Sequence, residues 1–429
     1  MPTTPHSSSY YAASAHIAGG RPELLGTVEC DVCVIGAGIA GCSAALHLAE
    51  RGYKVVVLEE HVVGWGASGR NGGQALPGVA ASRSKMSRLI GRTAARAVWD
   101  VSVDGLALLR DLIAKHHIDC DWVDGHMLTA LKPSHERELL AEIEELHKQY
   151  GYSSVRYMGR EEVRSVVESQ RYTAALYDSN AGHLHPLNYT LGLAAAAERA
   201  GATIFERTRA ERVFDATPAA SALVGTSQAE VHSRHILLCG NVYLGDAAPE
   251  LKSKIMGVST YIVATQPLGA ERAHKLIANN AAVSDMNWVL DYFRFSADHR
   301  LLFGGRVNYS DLTSFDAPTA TLKRMLRVFP QLADARIEYS WGGYVDITLN
   351  RAPHFGRLSP DVYFLQGFSG HGVALAGIAG KLVAEAIAGT AERFDLFAAI
   401  PHGNFPGGTL LRRPLLVLAM LYFRLRDLL

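Results

Sequence analysis

Apolar positions along the chain follow two periods. Residues 32–35 and 54–58 are short, β-branched runs with the composition of buried strands, and residues 40–51 between them repeat apolar positions at helical spacing. Together they predict a strand–helix–strand unit. Helical patterns follow over 85–118 and 133–150, the second rich in Glu and Lys on a solvated face, and an alanine-rich helix over 187–200. Residues 203–206 and 235–239 predict strands bounded by glycine. Residues 261–266, 288–295 and 301–305 alternate as antiparallel strands do, and a helix over 322–329 stops before Pro330. The pattern closes with a strand over 362–366, a glycine loop over 367–372 and a helix over 373–387.

The order of these elements implies a split domain. A strand, glycine loop and helix open near residue 31, and a second such set returns at residue 362 after a long insertion. The expected fold is α/β: a discontinuous Rossmann-like domain from residues 1–90, 150–250 and 340–400, with an inserted α+β substrate domain on an antiparallel sheet from 91–149 and 251–339. Residues 401–429 are expected as a docked C-terminal extension.

Composition narrows the partners. Of 429 residues, 48% are apolar and 20% charged, enough for two cores. Lys plus Arg and Asp plus Glu each total 42, so no basic field draws nucleic acid or anionic lipid. The five cysteines are scattered, as in a reducing compartment. Cys30 and Cys33 form a CxxC, but three residues apart on a strand they are expected to point to opposite faces, against a redox pair. The first fifteen residues lack a secretory pattern. Residues 414–423 are apolar but are cut off by Arg424 and Arg426, short of the ~20 residues that span a bilayer. A docked helix, no stable membrane insertion and a cytoplasmic location are the expectation. Nothing in the pattern sets the oligomeric state.

Three glycine-rich segments carry the chemistry. Gly36-Ala37-Gly38-Ile39-Ala40-Gly41 leaves a strand and opens a helix: Gly36 permits the turn, Gly38 admits a pyrophosphate at the helix N-terminus, and Gly41 permits close packing. Glu59, with Glu60 beside it, lies 23 residues after Gly36, where an acid meets the adenosine ribose and disfavours a 2′-phosphate. Next comes a run through Gly66, Ala67, Ser68, Arg70, Asn71, Gly72, Gly73 and Gln74, whose small residues let a loop lie against a flat ligand while Arg70 faces its phosphates. Near the far end, Gly370, His371, Gly372 and Val373 precede a helix, so free amides and a positive dipole end support charge on a reacting ring. His371 either serves that ring or caps its own loop.

These three segments, in this order, resemble the D-amino-acid oxidase superfamily, which includes glycine oxidase and sarcosine oxidase. The resemblance implies FAD, held by the residues just named, with Ala210 meeting adenine through its backbone. Four further segments, at residues 8–14, 182–188, 290–305 and 341–358, resemble a branch that oxidises the terminal amine of γ-glutamylated putrescine to an aldehyde, through an imine that water hydrolyses. Two departures from the sarcosine-oxidase pattern stand out. Its flavin-linking cysteine falls on or near Gly342, and no cysteine follows Cys239, so FAD is expected to be non-covalent. Its oxygen-activating lysine is not found, which leaves molecular oxygen or another electron acceptor open.

Hydride leaves a carbon bearing a neutral amine, so the pocket must strip a proton, hold the carbon over the ring and exclude water. Candidates beside His371 are Tyr292 and Arg294 on a strand, and Trp341, Asp346 and Arg351 on the approach to the third glycine segment. Arg294 or Arg351 suits a substrate carboxylate and Asp346 an ammonium, or each is an ordinary salt bridge. Tyr292 and Trp341 are substrate platforms or core. His183 and His185 share a side on an extended segment, but with no third ligand nearby no metal is expected. The alternatives are an amino-acid or N-methyl amine oxidase, and a non-enzymatic subunit stabilised by FAD.

Overall fold

The computed structural model describes residues 5–17, 19–217, 220–308 and 316–406, and the C-terminal apolar stretch lies outside them. Two sheets organise the chain. The first runs in the order His354–Ser359, Val362–Gln366, Ala229–Leu238, Gly26–Ile35, Val55–Leu58, Thr203–Phe205, parallel along this path except at its His354–Ser359 edge, and Ala222–Gly225 and Arg212–Phe214 add an antiparallel branch on Ala229–Leu238. Its inner strands are β-branched and buried on both faces, as parallel strands covered by helices must be. The helix Ile39–Ala49 is buried along its whole length and packs against Gly372–Ile387. At the crossing, a Cβ on Gly380 would stand 2.6 Å from both Ala40 O and Ala44 N, so only glycine lets the two helices meet.

The second sheet runs Ile337–Thr348, Ile255–Thr265, Leu301–Asn308, Tyr292–Phe295, Ala282–Asp285, Val123–Ala130, Ala174–His183, Gln74–Ala75, with Val155–Met158 also paired to Ala174–His183. All its pairings are antiparallel save that of Ala282–Asp285 with Val123–Ala130. It includes Ala174–His183 and the greater part of Ile337–Thr348, from residue 340 on, which the segment boundaries above placed in the dinucleotide domain. Conversely, Arg92–His116, placed with the substrate domain, packs on Gly372–Ile387 in the core of the first sheet.

Three local expectations change. The helix over 85–118 is two helices, Arg83–Ile90 and Arg92–His116, parted at Gly91, whose φ of +81° lies outside the helical range. The strand over 288–295 begins only at Tyr292, and Trp288 stands 48% exposed before it. Cys30 and Cys33 are not on opposite faces: Asp31 N and Val32 N both donate to Lys54 O, at 2.8 and 3.2 Å, so two residues oppose one and the alternation resets. Both thiols pack in one apolar cluster. Burial pushes Cys30 up to about 12 and Cys33 well above its ordinary value, which leaves them inert rather than redox-active.

Among the described residues no single helix is long and apolar enough to cross a membrane, and no group of three or more His, Cys, Asp or Glu side chains is placed to hold a metal.

Candidate active site

Both sheets contribute walls to one cavity of about 770 Å³. At its nucleotide end, Gly36 turns at φ +103°, and a Cβ there would stand 2.8 Å from Cys239 O. A Cβ on Gly38 would stand 2.7 Å from Ser68 Oγ, the atom that accepts from Ile39 N at 2.9 Å. The glycine loop and the second segment are therefore locked together at the N-terminus of Ile39–Ala49, a setting suited to a pyrophosphate. The Glu59 carboxylate accepts from Ala37 N at 2.9 Å and His61 N at 3.0 Å. Burial, with Glu60 and Glu206 as charged neighbours, pushes its carboxyl up to about 7. A buried acid with acids for neighbours suits the two hydroxyls of a ribose, which would donate to it. Glu60 pairs with Arg209 at 3.4 Å, and Arg209 and Ala210 close this end.

The second segment runs along the cavity. Arg70 Nε donates to Trp65 O at 2.7 Å, with its guanidinium 4.1 Å from the Trp65 ring centroid. Asn71 Nδ2 donates to Ala67 O and Ser68 O, and its Oδ1 accepts from Gly73 N at 2.7 Å. Gln74 Nε2 donates to Val283 O at 3.2 Å, which ties this loop to the second sheet. Gly66, Ala67, Ser68, Gly72 and Gln74 also line the cavity.

The reactive end combines a helix N-terminus with a sheet face. Gly370 and His371 lead into Gly372–Ile387, and all line the wall with Val373. The Asp346 carboxylate accepts from Phe368 N at 2.8 Å, and burial raises it to about 6. His371 Nδ1 is buried without a hydrogen-bond partner, and burial, then the Arg351 charge, lowers its pKa to about 4. On the opposing sheet, His126 Nε2 lies 3.0 Å from Ser284 Oγ, and burial, then His371, holds His126 down to about 3. Two neutral imidazoles thus share the cavity. The Tyr292 ring passes beneath Gly72 and Gly304, where added Cβ atoms would lie 2.7 and 2.2 Å from it.

The family model described as "DAO: FAD dependent oxidoreductase" matches residues 31–386. The chain belongs to the DAO family. Gamma-glutamylputrescine oxidoreductase of Escherichia coli (strain K12) is 40% identical over 425 residues, covering 99% of both chains. The probable oxidoreductase OrdL of Haemophilus influenzae (strain ATCC 51907 / DSM 11121 / KW20 / Rd) is also 40% identical, over 98% of this chain and 97% of its own. Among solved structures, glycine oxidase from Bacillus cereus ATCC 14579 matches with a TM-score of 0.70 at 22% identity, over 87% of this chain and 99% of that one, a likeness of fold. This DAO-family chain is an FAD-dependent oxidoreductase acting on amine or amino-acid substrates.

Several candidate residues of this DAO-family site take other roles than expected. Arg294 is 3% exposed and lies outside the cavity wall, its guanidinium donating to Gly72 O, Leu184 O, Phe295 O and Tyr11 Oη. It is spent on buried acceptors and cannot receive a substrate carboxylate. Trp341 is likewise core: its Nε1 donates to Arg70 O at 3.0 Å and its ring meets Tyr11 at 5.1 Å. Asp346 lines the cavity but anchors the 367–370 loop, whereas Arg351 lines it beside His371. Ala37, Gly41 and Gly73 do not face the cavity but set the backbone around it. His183 is held by Asn280 O, and His185 caps the helix Pro186–Arg199.

His126, Ser284 and Arg83 were missed from the sequence. The strand Val123–Ala130 that carries His126 has no apolar–polar alternation and holds a glycine, so no local signal marked it.

Glu59 gives FAD binding a pH dependence of defined sign. The ribose requires the carboxylate, so below pH 7 affinity for added FAD should fall by up to ~tenfold per pH unit. Fluorescence titration of apoprotein between pH 5.5 and 8.5 measures it, and Glu59→Gln should flatten the curve; a wild-type affinity independent of pH would exclude this role.

Proposed function

We propose that this protein oxidises the terminal primary amine of γ-glutamylputrescine, giving γ-glutamyl-γ-aminobutyraldehyde and ammonia, with FAD bound non-covalently and reoxidised by oxygen to hydrogen peroxide. The observation that carries the reading is the 40% identity to the Escherichia coli gamma-glutamylputrescine oxidoreductase along the full length of both chains. Putrescine breakdown, in a cytoplasm that keeps the cysteines reduced, is the setting of the proposal. Neither of the later glycine-rich segments, 66–74 or 367–373, contains a cysteine, which supports non-covalent binding.

When bound, the flavin supplies the two-electron acceptor for hydride. The residues of the chain prepare the amine for it. The substrate arrives as an ammonium, and one N–H proton must leave so that the nitrogen lone pair can form the imine as the adjacent C–H breaks. His126 and His371, both neutral, line the reactive end and can accept hydrogen bonds from the amine, whose proton passes to solvent as it enters this buried end, and Ser284 Oγ orients His126 through their 3.0 Å contact. Tyr292 walls the cavity, while Asp346 holds the 367–370 loop and with it the helix N-terminus. Water then adds to the released imine, and the C–N bond breaks to give aldehyde and ammonia.

Anaerobic mixing of holoprotein with γ-glutamylputrescine, putrescine, glycine and sarcosine separately tests the reading. γ-Glutamylputrescine should bleach the flavin at least ~tenfold faster than the others at equal concentration, a difference of about 1.4 kcal/mol in transition-state binding. Bleaching only by glycine or sarcosine would replace the substrate assignment. Air should restore the colour within seconds if oxygen is the acceptor.

A further inference from the structure

The cavity does not end at the flavin-facing segments. Beyond His126 it continues to the helices Arg83–Ile90 and Arg92–His116, where Leu128, Leu146, Leu176, Val98 and Trp99 line it. Its far end is charged, since Arg83 and Glu142 also line it. Arg83 Nη1 donates to Glu142 Oε1 at 3.2 Å, and its Nε and Nη2 donate to Glu145 Oε2 at 3.0 and 2.9 Å. The guanidinium lies 5.5 Å from the Trp99 ring centroid and 5.6 Å from that of Tyr150, within cation–π range of both. The Arg83 side chain is 17% exposed, against 33% and 31% for the two glutamates. Two carboxylates here share one guanidinium.

We propose that Arg83 and Glu142 form a head-group site for an α-amino acid carried at the far end of the amine substrate, Arg83 receiving its carboxylate and Glu142 its ammonium. The chemistry matches on three counts. Arginine presents a planar fork to a carboxylate, and Glu145 remains to balance it when Glu142 turns to a cation. The apolar stretch between the two ends suits the methylenes on either side of the substrate's amide, and Tyr152 and Asp178, which also line it, are the polar groups there that the amide can meet. The length also agrees. The cavity wall that Ser284, His126, Leu176 and Val155 build on four neighbouring strands is three strand steps wide, ~14 Å at strand spacing. An extended γ-glutamyl diaminobutane measures about 11 Å from reacting nitrogen to α-carbon over its bonds. The inference rests on the proposed substrate and names the residues that would select it.

The experiment compares γ-glutamylputrescine with n-pentylamine, which has the methylenes but no head, on holoenzyme. Arg83→Met should lower kcat/KM for γ-glutamylputrescine by about 10–100-fold, mostly through KM, the worth of lost charge-assisted hydrogen bonds. The loss for n-pentylamine should be at least ~tenfold smaller on the same basis. Glu142→Gln should act in the same direction. Equal losses for both amines would assign Arg83 a purely structural role and overturn the proposal. Wild-type enzyme provides an arm that needs no variant: N-acetylputrescine, which lacks the zwitterion, should be at least ~tenfold poorer than γ-glutamylputrescine. Parity between those two overturns the head-group site while leaving the amine chemistry intact. If γ-glutamylputrescine fails to reduce wild-type flavin and a small amino acid succeeds, the substrate reading falls, and this site with it.

Discussion

Replacing Arg294 with methionine should destabilise the holoprotein by about 3–5 kcal/mol, because the carbonyls of Gly72, Leu184 and Phe295 lose their donor in a dry interior at ~1–3 kcal/mol each. The guanidinium is a strut between the second FAD-contacting segment, the His183 segment and the N-terminal helix Tyr10–Ser14, through Tyr11 Oη. Methionine nearly fills the space but donates nothing. Denaturant unfolding with FAD present should show a lower midpoint, and FAD should be released at lower denaturant. A variant of wild-type stability that only raises KM for the amine would restore Arg294 as a substrate ligand.

The second large effect is expected at Gly41. A Cβ there would stand 1.9 Å from the Gly36 carbonyl oxygen, and both atoms belong to backbone that cannot swing aside. Gly41→Ala must push the helix Ile39–Ala49 off the strand Gly26–Ile35 and open the turn that receives the pyrophosphate. Overpacking of about 1–3 kcal/mol, felt at the binding loop, corresponds to FAD affinity lower by roughly 5–150-fold. Purified variant should therefore carry much less flavin per chain by its visible absorption. Full flavin occupancy would show that the helix accommodates the methyl.

Much of the cofactor end was legible because its determinants are local. The Gly36–Gly41 turn, the strand before it, the helix after it and Glu59 at the end of the next strand are contiguous, and each residue type answers a backbone requirement within a few residues. The reactive end was legible in part. Residues 367–373 announced a loop and a helix N-terminus, but the partner face did not announce itself. His126 and Ser284 lie 158 residues apart and meet only because Ala282–Asp285 pairs in parallel with Val123–Ala130. Neither segment has a pattern strong enough to be read as a strand alone.

Long-range burial also reversed roles that residue type had suggested. Arg294 and Trp341 look like substrate ligands when only their chemistry is considered, yet each carries a donor that a buried carbonyl far along the chain requires. The CxxC looks resolved by strand alternation, but one irregular pairing at Lys54 O reverses the side.

The sequence by itself determined that this chain builds a dinucleotide site split by an insertion, because glycines without side-chain alternatives and an acid at fixed spacing encode that site within short stretches. Only the tertiary structure decided which polar side chains remain available to a substrate and which are consumed inside the protein. That outcome depends on pairings between distant strands, and every buried donor and acceptor they bring together must be satisfied before any group is left to face the cavity.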